Sequence, residues 1–83
     1  MNQHFGSLVL GLAAQAGAAL DGQLPAGAEQ AGATDTRQLA QALIDTLAAL
    51  EEKTRGNLDT DEAQLLSQLL TSLRIRFATG KPA

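Results

Sequence analysis

The chain has no cysteine, no tryptophan and no tyrosine, and a single histidine. Without cysteine there are no disulfides and no thiolate metal sites, which fits a cytoplasmic location. His4, alone near the N-terminus, leaves no histidine pair for a metal and no base spaced to activate a serine or threonine. No glycine-rich phosphate loop precedes a helix. Two phenylalanines are the only aromatics, so a base-stacking platform is missing. Basic residues are few as well: six against nine acidic ones, for a formal net charge of -3. Nucleic-acid binders usually carry a basic patch, and this balance argues against that class. The same absences argue against an enzyme, and no cofactor or metal is expected.

Alanine, leucine and glutamine dominate, while β-branched residues are few, which favours helix over strand. Eighty-three residues make one helical domain over positions 1–83. Chains this short bury a small share of their surface and usually need a staple. With disulfides and metals set aside, a second subunit is the remaining one.

The apolar stretch from Leu8 to Leu20 is not read as a signal peptide, because residues 1–7 hold no lysine or arginine. Gly6, Gly11, Gly17 and Gln15 break it up, and it is too short to span a bilayer. Residues 2–20 instead read as a first helix. Phe5, Leu8, Val9, Leu12, Ala13, Ala16, Ala19 and Leu20 recur at steps of three and four. Its three glycines each cost roughly 1 kcal/mol against alanine, so packing must offset them. Ala13 and Gly17, four apart, are small enough to admit another backbone.

Residues 21–34 are expected to be a flexible linker. Asp21-Gly22 closes the first helix, with Gly22 able to take the left-handed conformation, and Pro25 disfavours helix before it. The linker can double back or hand the first helix to a neighbouring subunit.

A second helix is expected over 36–54. Asp35 is its N-cap, with Gln38 three residues on as a capping box. Leu39, Leu43, Leu47 and Leu50 form a spine widened by Ala40, Ile44 and Ala48. Lys53 and Arg55 suit the C-terminal dipole, and Gly56-Asn57 suits a left-handed cap. A third helix is expected over 60–78, capped by the Asp59–Glu62 box. It carries a stripe of Leu66, Leu69, Leu70, Leu73 and Phe77. Ile75 falls off the stripe, and 79–83 form a disordered tail. The link from Arg55 to Asp59 is short, so the last two helices should form an antiparallel hairpin, with Leu58 packed beneath the turn.

Three clusters invite a chemical reading. Asn57, Asp59 and Asp61 have the spacing that opens a calcium loop, but Glu62 and Gln68 stand where it needs glycine and a bidentate glutamate. Asp45 lacks a second carboxylate or histidine within reach, as a catalytic acid would need, and reads as part of a polar face. Arg74, Arg76 and Lys81 read as support for a helix C-terminus, pairing with Asp35 across the hairpin.

Other residues carry a resemblance. The segments Ile44-Asp45, Leu47 with Leu50, Glu52-Lys53-Thr54-Arg55-Gly56-Asn57-Leu58, Glu62 with Leu65-Leu66, and Leu73-Arg74 through Arg76 to Phe77 resemble the bacterial family "domain of unknown function 1844". Phe5, Leu8 and Leu12 fit its N-terminal helix. The likeness covers about positions 3–20 and 35–77. The chain departs from the pattern at Gln41-Ala42-Leu43, where the family often has an Arg-Gln pair, and at Asp59-Thr60, where it favours Thr-Pro. The resemblance implies a small cytoplasmic helical protein and implies no activity.

The expected function is a non-enzymatic interaction or structural module. The second helix is apolar over more than half its circumference and should need cover on two sides. A homodimer is therefore expected, or a protein partner, with Leu8, Leu12, Ala13, Gly17, Leu43, Ile44 and Leu47 at the interface. The alternatives are a weak nucleic-acid-associated protein using Arg55, Arg74, Arg76 and Lys81, and a membrane-surface protein using the first helix. That helix has no lysine or arginine for a lipid surface.

Overall fold

In a computed structural model that describes residues 1–23 and 35–79, the chain is all-α. Helix α1 spans Gln3–Leu20, α2 spans Thr36–Lys53 and α3 spans Thr60–Thr79, with no strand among the described residues. Most of the expected linker, 24–34, and the end of the expected tail, 80–83, lie outside the described residues. Thr79, expected in that tail, instead ends α3.

Each helix start is fixed by a side chain that satisfies an orphan backbone donor. Asp35 Oδ1 accepts from the Gln38 N–H at 2.6 Å. Asp59 and Glu62 form a reciprocal box: Asp59 Oδ1 accepts from Glu62 N–H at 2.8 Å, and Glu62 Oε1 accepts from Asp59 N–H at 2.9 Å. Asn2 caps α1, its Oδ1 accepting from Phe5 N–H at 3.0 Å, a cap that a short polar side chain just before an apolar run could have disclosed.

The helix ends turn at glycine. Gly22 has φ +88°. Its N–H donates to the Ala19 carbonyl at 3.0 Å, and the Gln23 N–H donates to Ala18 at 2.9 Å, which is the two-bond Schellman arrangement. Gly56, also at φ +88°, sits in a turn closed by the Asn57 N–H to the Thr54 carbonyl at 2.9 Å. Thr54 Oγ1 donates to the Leu50 carbonyl at 2.5 Å, holding the last turn of α2. A side chain at a left-handed φ costs about 1–2 kcal/mol. Gly56→Ala should therefore lower stability by that much in urea melts, although no atom lies within 4 Å of the added Cβ. An unchanged midpoint would show that the turn relaxes without strain.

The core lies between all three helices. Val9, Ala13 and Ala16 of α1 meet Leu43, Ile44 and Leu47 of α2 and Leu66, Leu70 and Leu73 of α3. Val9, Leu47 and Leu66 are fully buried, and each such side chain contributes roughly 1.5–3 kcal/mol by leaving water. Leu58 packs against this core from the turn. Ile75 is exposed. Of the α2 spine, Leu43 and Leu47 are buried against α1 and α3 of the same protomer, while Leu39 and Leu50 are partly buried against that cluster.

Candidate interaction surface

Polar contacts at the ends fix the direction of α1. The backbone N–H of Asn2 donates to Glu62 Oε2 at 2.8 Å, so the first turns of α1 and α3 meet. At the far end Arg76 Nη2 donates to Asp21 Oδ1 at 2.8 Å. Arg37, at the start of α2, donates to the Phe77 carbonyl at 3.1 Å and lies 3.9 Å above the Phe77 ring centre, a cation–π contact. Sequence reasoning gave Arg76 the wrong partner. It pairs with Asp21, while the bond to Asp35 is the cap itself. Gly17 was expected to admit a backbone. Its near neighbour is the Arg76 guanidinium, 3.3 Å from where a Cβ would sit.

Glu62 is the one buried charged side chain among the described residues. Its two oxygens serve two helix starts, Oε1 at Asp59 and Oε2 at Asn2. A carboxylate between two helix N-termini faces two positive dipole ends. Both of its oxygens are held by backbone donors, so Glu62 ties the starts of α1 and α3 together. The Met1 ammonium adds a contact to Asp59 Oδ2 at 3.0 Å.

These contacts set two titrations. The Glu62 N–H and then the Met1 ammonium hold the Asp59 carboxyl below its ordinary 3.8. The hydrogen bond to Asp59 and its charge raise the Met1 amine above its ordinary 8.0. A lowered acid contributes stability above its unfolded pKa and loses it as pH falls through the folded one. A raised amine contributes below its unfolded pKa and loses it as pH rises through the folded one. The thermal midpoint should therefore be flat between about pH 4 and pH 8 and fall on both sides. Acetylating the free amine at Met1 should abolish the shallow alkaline fall and reduce the acid one without removing it, since the Glu62 N–H still holds the Asp59 carboxyl down. An alkaline fall that survives acetylation would contradict the Met1–Asp59 pairing.

The other candidate residues do not converge. Asp45 is exposed and accepts from Gln41 Nε2 at 2.8 Å. Asp59 spends its oxygens on the cap and on Met1, and Asn57 and Asp61 are exposed. Among the described residues no group of three or more histidine, cysteine or acidic side chains is placed to hold a metal. Arg55 stands at the α2–α3 turn while Arg74 and Arg76 stand near the other end of α3, so no basic patch forms from them, and Lys81 lies outside the described residues.

Of the expected interface residues, Ala13, Leu43, Ile44 and Leu47 belong to the protomer's own core. Leu12 is half-buried against it, and Gly17 is half-buried beside Arg76. Only Leu8 is openly exposed, at 49%, and Leu10, which sequence reasoning passed over, matches it at 51%. They occupy opposite flanks of α1. Leu8 lines a groove with Phe5, Thr54, Asn57 and Leu58. Leu10 lines another with Ala14, Gly17, Leu69 and Ser72. No charged residue occurs anywhere in α1. No described helix is long and apolar enough to cross a membrane.

Among the described residues, the two ends of the bundle differ in charge. Beside the α2–α3 turn, Glu51, Glu52, Asp59, Asp61 and Glu62 outnumber Lys53, Arg55 and the Met1 ammonium. At the other end Arg37, Arg74 and Arg76 outnumber Asp21 and Asp35. In comparisons with known proteins, residues 2–79 match the family model described as "Domain of unknown function (DUF1844)". No curated protein and no solved structure matches the chain.

Proposed function

The chain belongs to the family described as Domain of unknown function (DUF1844), and on that premise we propose that it is a non-enzymatic helical interaction module. It works in the cytoplasm by presenting α1 to a second copy of itself or to another protein. One observation carries this reading: α1 is an eighteen-residue helix with no charge, buried on one side and bare on the other. A helix on the surface of a small domain normally carries charged residues on its wet side. An uncharged face with two half-exposed leucines loses little on desolvation and gains by apolar burial when covered. The buried carboxylate supports the same reading, since its oxygens are committed to helix caps. Sedimentation velocity of the whole chain from about 1 µM to about 500 µM should show reversible self-association, the range expected of small interfaces. A single monomeric species throughout would overturn self-association.

A further inference from the structure

We draw no further inference here: the strongest candidate, the apolar groove between the start of α1 and the α2–α3 turn lined by Phe5, Leu8, Asn57 and Leu58, carries nothing, because nothing in the structure shows what covers it.

Discussion

Glu62→Ala is expected to lose about 3 kcal/mol of stability in urea or thermal melts. The change removes two hydrogen bonds from a buried carboxylate to backbone donors, each worth about 1.5–3 kcal/mol when one partner is charged. It also leaves the Asn2 and Asp59 N–H groups without that acceptor. At roughly 0.05–0.15 kcal/mol per residue, a chain of this length has about 4–12 kcal/mol in total, so the loss is a large share. Glu62→Gln keeps the shape but has one acceptor oxygen, so its amide nitrogen must face an N–H donor. It should cost about half as much, on the same scale of hydrogen-bond energies. Asn2→Ala, which removes only the Asn2 side-chain cap at α1, should cost about 1 kcal/mol. If Glu62→Ala costs no more than Asn2→Ala, the carboxylate is not joining the two helix starts.

That joint shows where reading the chain ends. Helices α2 and α3 were legible because their signals are local. Asp35 and Asp59 cap, Gly56 turns, and leucines recur on one face, all within a few residues of the bonds they make. The Asp59–Glu62 box was legible for the same reason. The second task of Glu62 was not, because Asn2 lies sixty residues away and nothing in its neighbourhood records that. Arg76 with Asp21 and Arg37 with Phe77 are likewise products of packing. In α1 the period was clear but the centre of the buried face was not. Leu8 was placed in the stripe, and Gly6 was not. The helix beds on Val9, Ala13 and Ala16, which carries Gly6 inward and leaves Leu8 on the flank. Small residues make such a face broad, so its midline follows from the partner helix and not from side-chain size. Apolarity marked Leu43, Ile44 and Leu47 for burial, but a stripe does not say whose chain will cover it.

Leu47→Ala asks that last question directly. Leu47 is fully buried and touches the cluster made by all three helices. Truncating it removes transfer free energy and leaves a cavity that close-packed neighbours fill only in part, for a cost of about 2–5 kcal/mol. Against a total of about 4–12 kcal/mol, the chain should be partly unfolded by modest urea, and unfolding should become easier at every protein concentration. Leu10→Ala gives the contrast. Leu10 is 51% exposed, so its loss should change the stability of the dilute chain by about 0.5 kcal/mol or less and act, where it acts, on self-association. The two variants therefore separate along the concentration axis. If Leu47→Ala leaves the dilute protomer as stable as wild type and shifts only the monomer–dimer equilibrium, then a second chain covers α2, and the three-helix core described here is not what holds the protomer together.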